Sequence, residues 1–489
     1  MPIPDFFIVW YSKTIIMNWI DLTIFIIYML LMLGVGVYFL KRNKSADDYY
    51  VGGRTMSKWH IGLSVVATDV GGGFSIGLGG LGFILGLSGS WMLFTGLIGA
   101  WLAGTFLIPK VYPLAKTENF LTFPQLLKHN FGATAAFIAG IISAIGYLGF
   151  TSSQLLAGAK LASASFVDLS LNEALLVMGI IAVVYTFLGG LKAVIYTDTI
   201  QWIILLAGLI GIGIPLGYFY LGGWNAITNA LPDSYFSFSN ITWQQMVKWF
   251  VTIIPIWFVG MTLYQRIYAS KSKEEAKKAW YIAGVFEYPL MAFMGVIIGL
   301  FARIAFINND FEALGFPADG AIDEEMGLPL FLRTILPPGL MGIMMAAYFS
   351  AIMSTADSCL MASSGNIVTD ILKIPSHNTK KHLRIGQITT LLVGALALLL
   401  ALQMQNVLEL MLYSYAFMVS GLLVPVLAIF FFKTKSKIAA IGSMIIGGGT
   451  TLILIITELK LPLDLDPNIF GISASFIVYF LITNFIKKT

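Results

Sequence analysis

The chain of 489 residues is 58% hydrophobic and 11% charged, with a formal net charge of +4 and a mean hydropathy of +0.85. This excludes a soluble globular domain and points to an all-α polytopic membrane protein, in which apolar runs of about 20 residues each cross a bilayer. The basic residues are spread over seven stretches and form no stripe for nucleic acid, and a single cysteine, Cys359, excludes an internal disulfide and a cysteine-held metal.

Thirteen spans are predicted, over 19–40, 61–85, 90–107, 135–162, 175–188, 200–220, 247–268, 283–307, 339–372, 388–402, 407–432, 438–457 and 470–485. Residues 1–18 form a short extracellular extension, and Met17-Asn18-Trp19 makes a natural start just ahead of the first span. Basic residues are retained on the cytoplasmic side. The alternating loops that begin with Lys41–Lys58 and end with Lys487-Lys488 hold 23 of the 29 basic residues, whereas the opposite loop, Asp310–Glu325, is acidic. The expectation is a multi-pass protein of the inner (plasma) membrane, with its amino terminus outside and its carboxyl terminus in the cytoplasm.

In the second span Asp69 runs into three glycines, in Ala67-Thr68-Asp69-Val70-Gly71-Gly72-Gly73-Phe74-Ser75. Each glycine weakens a helix by about 1 kcal/mol relative to alanine, and a mid-membrane break is tolerated only where protein or water replaces the lost hydrogen bonds. Unwinding there frees the carbonyls of Ala67 and Val70 for a cation. Gly77-Leu78-Gly79-Gly80-Leu81-Gly82 fits the dinucleotide spacing, but no strand precedes it, so close helix packing is the better reading. The seventh span has its own weak point at Pro255 and Gly260. Broken helices five spans apart predict a five-plus-five inverted repeat, over 58–222 and 245–432, with helix 19–40 outside it and two helices over 437–486 appended.

The ninth span carries Ser350-Ala351-Ile352-Met353-Ser354-Thr355-Ala356-Asp357-Ser358. On a helix Ala351, Ser354, Thr355 and Ser358 share one face, and hard, weakly charged oxygen ligands suit a monovalent cation. Charged side chains at mid-bilayer cost roughly 2.5–3.5 kcal/mol each on insertion scales. Asp69, Asp198 and Asp357 therefore each require a cation, a donor or water.

At these residues the chain resembles the sodium/solute symporter family, whose members carry proline, sialic acid, sugars, pantothenate and choline. Gly189-Gly190-Leu191-Lys192-Ala193-Val194-Ile195-Tyr196-Thr197-Asp198-Thr199-Ile200-Gln201 is similar to the family signature, and Gln265-Arg266 matches the motif that closes its sixth repeat helix. The resemblance implies a Na+ site made by Ala67, Val70, Ala351, Ser354 and Thr355. It also implies a possible second sodium site at Asp198, Ser354, Asp357 and Ser358, although Asp357 stands where those members have serine. Asp69 matches the aspartate of the proline-transporting members.

The expected solute pocket is lined by Asp69, Gly71, Gly72, Gly73, Phe74, Ser75, Gln154, Trp257, Phe258, Gly260, Tyr264, Tyr413 and Tyr415. The expected function is sodium-coupled import of a small polar solute, with a zwitterionic amino acid or an organic or sugar acid favoured. A proton-coupled carrier and sodium-coupled uptake of a quaternary amine such as choline stay as alternatives. The four histidines lie near span ends without H-E-x-x-H spacing, so no catalytic site is expected. The partners are the solute, sodium ions and the lipid bilayer, and nothing in the sequence calls for a protein partner.

Overall fold

The computed structural model describes residues 19–40, 46–166, 169–375 and 379–486. The amino-terminal extension with its start at Met17, and Lys487-Lys488, lie outside the described residues. Among the described residues the secondary structure is helical, and one isolated bridge joins Met56 to Ser270.

Fifteen helices matter here. They are α1 (Trp19–Leu40), α2 (Lys58–Leu85), α3 (Trp91–Leu102), α4 (Ala133–Ser165), α5 (Leu171–Gly208), α6 (Trp243–Val259), α7 (Met261–Ala269), α8 (Lys273–Val285), α9 (Ala292–Ile307) and α10 (Glu324–Ile335). The others are α11 (Leu340–Asn366), α12 (Thr379–Ala401), α13 (Val407–Phe431), α14 (Lys437–Thr457) and α15 (Pro467–Ile486). Apolar side chains on every face suit helices to lipid and to a bundle interior, where the backbone must bond to itself. Their starts are marked by side-chain caps. Thr242 Oγ1 accepts from the Gln245 N–H, Ser272 Oγ from Glu275 and Asn406 Oδ1 from Glu409.

Nine helical stretches among the described residues are long and apolar enough to cross a membrane, and the bent pair α6–α7 makes a tenth. One of the nine, Ser75–Glu118, turns at Gly86–Ser90 and so holds parts of two predicted spans. Two shorter apolar helices, Trp19–Val35 and Leu171–Val184, correspond to two more. Helix α5 likewise holds parts of two predicted spans. Its two parts pack on different helices, Gly179 on Leu398 of α12 and Gly208 on Met344 of α11.

Helix α11 is the hub, with 94% of its apolar window buried against 28% for α15. Helix α1 is tied to it from outside. Asp21 Oδ1 accepts from the Gly339 and Gly342 N–H groups, both at 2.7 Å, and so caps the start of α11. The glycine run of α2 serves packing, because a Cβ at Gly82 would strike the Val296 backbone and one at Gly299 the Gly79 backbone. Two spans are interrupted. Within α2, Gly71 leaves helical geometry at φ +41° and ψ −173°, a conformation that only glycine adopts without strain. Between α6 and α7 the axis bends by 42° at Gly260, while Pro255 stays inside α6.

Candidate functional site

The break in α2 faces the middle of α11. Thr355 Oγ1 donates to the Ala67 carbonyl at 2.8 Å and lies 3.3 Å from the Ala351 carbonyl. Gly71 packs directly on the same hydroxyl, with no room for a Cβ. Three of the five expected sodium ligands, Ala67, Ala351 and Thr355, thus converge where the helix unwinds. The side chain of Val70 lies outside the described set. Ser354, one residue along α11, turns its hydroxyl to Asp198 instead.

Around Asp198 a polar network fills the bundle interior. Its carboxylate accepts from Ser354 Oγ and, at 2.5 Å, from Ser64 Oγ. Arg266 completes the network from α7. Its Nε donates to Ser64 Oγ at 3.1 Å, Nη1 to the Thr262 carbonyl at 3.2 Å, and Nη2 to Thr68 Oγ1 at 2.5 Å and Ser358 Oγ at 2.9 Å. The guanidinium stands 3.7 Å from Asp198, with both side chains fully buried. A buried carboxylate is tolerable when a cation and donors surround it, and here the cation belongs to the protein. Of the four residues expected at a second sodium site, Asp198 and Ser354 touch and Ser358 joins through Arg266. Asp357 points elsewhere and accepts from Thr186 on α5.

The expected pocket residues divide. Tyr415 OH donates to Asp69 Oδ1 at 3.1 Å, and its ring packs edge-on against Phe150 at 5.0 Å. Tyr147 stacks near Phe150 and bonds Thr262, just past the Gly260 break, through its hydroxyl. This aromatic group of Tyr147, Phe150 and Tyr415 beside Asp69 lies between the two interrupted helices. Ser75 Oγ donates to the Gly71 carbonyl that the break exposes, at 2.7 Å. Gln154 is buried next to Ser153, and Trp257 packs its ring on Gly99 and Trp280. Tyr264 OH donates to the Phe258 carbonyl, and its ring meets Phe123. Tyr413 faces away, donating to Glu409 Oε1 at the exposed surface. Gly72, Gly73 and the side chain of Phe74 lie outside the described set.

Sequence reasoning missed Arg266 as an interior group, reading its charge as part of a cytoplasmic loop. It also missed Tyr147 and Phe150, although positions 147, 150, 151 and 154 follow the one-face spacing of a helix. Glu287 was overlooked as well, a fully buried acid in the π-helical turn Phe286–Met291. Among the described residues no three His, Cys, Asp or Glu side chains gather as a metal centre.

Comparison with known proteins matches this architecture. The sequence pattern of the sodium:solute symporter family matches residues 49–447. The chain is 28% identical over 434 residues to the high-affinity proline transporter PutP of Bacillus subtilis (strain 168), covering 86% of this chain and 89% of the relative. It is 27% identical over 452 residues to the sodium/proline symporter of Escherichia coli (strain K12), covering 88% and 87%. It is 26% identical over 465 residues to the sodium/glucose cotransporter of Vibrio parahaemolyticus, covering 87% and 83%. Its fold is similar to that of a Na+-coupled sialic acid symporter in a substrate-bound outward-open state, with a TM-score of 0.77 at 21% identity over 96% of this chain and 98% of that one. A nucleobase-cation-symport-1 family transporter, in a closed conformation, gives 0.54 at 14% identity over 91% and 96%. The five-plus-five inverted-repeat core with discontinuous helices is therefore the fold of this chain, and the chain belongs to the sodium:solute symporter family.

Proposed function

We propose that this member of the family imports a small polar solute, a zwitterionic amino acid or an organic or sugar acid, together with sodium. The observation that carries this reading is the approach of Thr355 Oγ1 to the Ala67 and Ala351 carbonyls at the Gly71 break. A sodium ion held by Ala67, Val70, Ala351, Ser354 and Thr355 ties the broken α2 to α11 and completes an outward-facing pocket. Inward rocking separates the two helices, disperses the ligands and releases ion and solute together. The repeats that rock are 58–222 and 245–432, with the amino terminus outside and the carboxyl terminus in the cytoplasm of a bacterial-type inner membrane.

The solute lies between the interrupted helices, against Asp69, Tyr415, Tyr147 and Phe150. Exposed N–H groups at a broken helix suit a carboxylate, and Asp69 with the aromatic faces suits an amine. Lys160 is not available for a carboxylate, because it is spent on Asp323 and Glu325. At Asp198 the Arg266 guanidinium competes with any second sodium. One sodium crossing 100 mV supplies about 2.3 kcal/mol and a tenfold gradient about 1.4 kcal/mol more, enough to concentrate a neutral solute roughly 500-fold.

The test is the double variant Ser354→Ala/Thr355→Ala in proteoliposomes. It is expected to need at least about tenfold more sodium for half-maximal uptake, since each lost ligand to a charged species is worth roughly 1.5–3 kcal/mol. Unchanged sodium dependence in a folded double variant would remove the site.

A further inference from the structure

Asp69 and Glu287 are buried neighbours inside the bundle, where α2 packs against the turn Phe286–Met291. The first is 5% exposed and the second not at all. Ionised carboxylates only accept hydrogen bonds. Asp69 has the Tyr415 hydroxyl, but both carboxylate oxygens of Glu287 lack any donor among the described residues. Among the described residues no lysine, arginine or histidine forms an ion pair with either group. Glu287 is pressed against Gly96 of α3, where a Cβ would collide with its Oε2, so the side chain is held toward Asp69 and cannot swing out to water past α3. Both acids also sit at irregular backbone. Asp69 precedes the Gly71 break by two residues, and Glu287 occupies the turn in which Tyr288 is non-helical. Irregular backbone at membrane depth is tolerated where it lines a cavity or is buried in protein.

A single proton shared between the acids would satisfy one oxygen of Glu287 and leave the other bare. A compact cation engages both, and Asp69 as well. We propose that Asp69 and Glu287 form a binding site for one positive charge, either a monovalent metal ion or the ammonium group of an amine. It is separate from the sodium ligands on α11 and from the Asp198–Arg266 network. The site rests on the proposed solute pocket beside Asp69 and deepens it by adding Glu287, from the α8–α9 turn, as a second acid on the same positive charge. Its placement beside Tyr415 puts the bound charge at the wall of the solute pocket, where it would add a second cation to the cycle or orient the amine end of a solute.

The experiment uses the purified full-length protein in detergent, with N-methylglucamine chloride as background at fixed ionic strength and pH. Thermal unfolding is followed while sodium chloride, or separately methylammonium chloride, replaces the background salt. The Ser354→Ala/Thr355→Ala variant is expected to retain a saturable cation-dependent rise in unfolding temperature. Adding Glu287→Gln, which keeps the shape and removes the charge, should weaken that residual response by roughly tenfold or more in apparent dissociation constant. Asp69→Asn serves as the second variant if Glu287→Gln does not fold. A residual response to sodium alone assigns a metal ion, and one to methylammonium assigns an amine; both support the site. If neither salt stabilises the double variant, or if the residual response is untouched by both acid substitutions, the site does not exist. Stabilisation by acid alone, equal in all salts, overturns it in favour of a shared proton. Sodium-dependent uptake by the wild type, measured alongside, tells failure of this site apart from failure of sodium coupling.

Discussion

The Arg266 guanidinium lies 3.7 Å from the Asp198 carboxylate, and neither side chain reaches solvent. The two residues join α7, just past the Gly260 break, to α5; they share the Ser64 hydroxyl of α2, and from α11 Ser354 bonds Asp198 and Ser358 bonds Arg266. The network therefore ties four helices together, α2, α5, α7 and α11. Removing one charge strands the other, at a cost of roughly 3–5 kcal/mol for a broken buried pair.

Arg266→Met is accordingly expected to lower the unfolding temperature sharply, and Arg266→Lys to rescue it only in part. Lysine restores the charge but not the planar fork that reaches Ser64, Thr262, Thr68 and Ser358 together. Asp198→Asn in the Arg266→Met background should recover part of the loss, giving a coupling energy on the order of 1–3 kcal/mol in a double-mutant cycle. Additive effects of the two substitutions would show that the ion pair is energetically idle.

Much of this site was legible in the sequence because its signals are local. Three glycines after Asp69 announce a broken helix, and Ser354, Thr355 and Ser358 announce a polar face by spacing alone. What escaped depends on contacts between distant segments. Arg266 follows an apolar run and precedes the basic residues Lys271 to Lys278, so its charge reads as topogenic until the bend at Gly260 carries it into the interior. Glu287 sits singly in an apolar stretch, with nothing nearby in sequence to mark Asp69 as its neighbour. Tyr413 and Tyr415 were read together, yet residues two apart on a helix point about 200° apart, and only Tyr415 reaches Asp69.

Lys160 on α4 makes a second buried contact, with its ammonium 2.6 Å from Glu325 Oε2 and 2.5 Å from Asp323 Oδ2. Glu325 also accepts the Val407 and Leu408 N–H groups at the start of α13, both at 2.9 Å. Helix α10 is thereby pinned to α4 and α13 at once. Glu325→Gln should loosen that latch and favour opening at this end of the bundle. In a Cys359→Ser background, a cysteine introduced at Ile322, in the cleft beside Glu324, should react with a water-soluble maleimide in the purified protein roughly tenfold faster in the Glu325→Gln variant, given the cost of breaking buried pairs. Equal labelling rates would mean that the latch does not restrain opening.

Close helix contact in α2 gives a graded packing test. Gly82→Ala places a methyl group against the Val296 backbone, whereas the same change at Gly34 meets nothing within 4 Å. Overpacking of a tight interface costs about 1–3 kcal/mol, so Gly82→Ala should lower the unfolding temperature and Gly34→Ala should not. Gly71→Ala combines a crowded Thr355 hydroxyl with the left-handed φ of +41°. It should reduce sodium-dependent stabilisation to the residual level of the Ser354→Ala/Thr355→Ala variant even where the protein still folds, and undiminished sodium sensitivity would detach the break from ion binding.

The last prediction separates the paired tyrosines. Tyr415 gives Asp69 a hydroxyl donor inside the bundle, while Tyr413 bonds Glu409 at the surface with Lys248 5.8 Å from its ring. Tyr415→Phe removes one hydroxyl from a buried carboxylate and keeps the ring against Phe150, so its effect reports on Asp69 and not on packing. A lost hydrogen bond to a charged group corresponds to roughly 1.5–3 kcal/mol, or about 10- to 100-fold. Half-saturating solute for Tyr415→Phe should therefore rise by that factor in sodium-driven uptake, while Tyr413→Phe should leave it unchanged. If Tyr415→Phe shifts only the unfolding temperature and not half-saturation, Asp69 and Tyr415 stabilise the bundle without touching solute. Equal losses in both variants would mean that the outer face of α13, and not the pocket, governs entry.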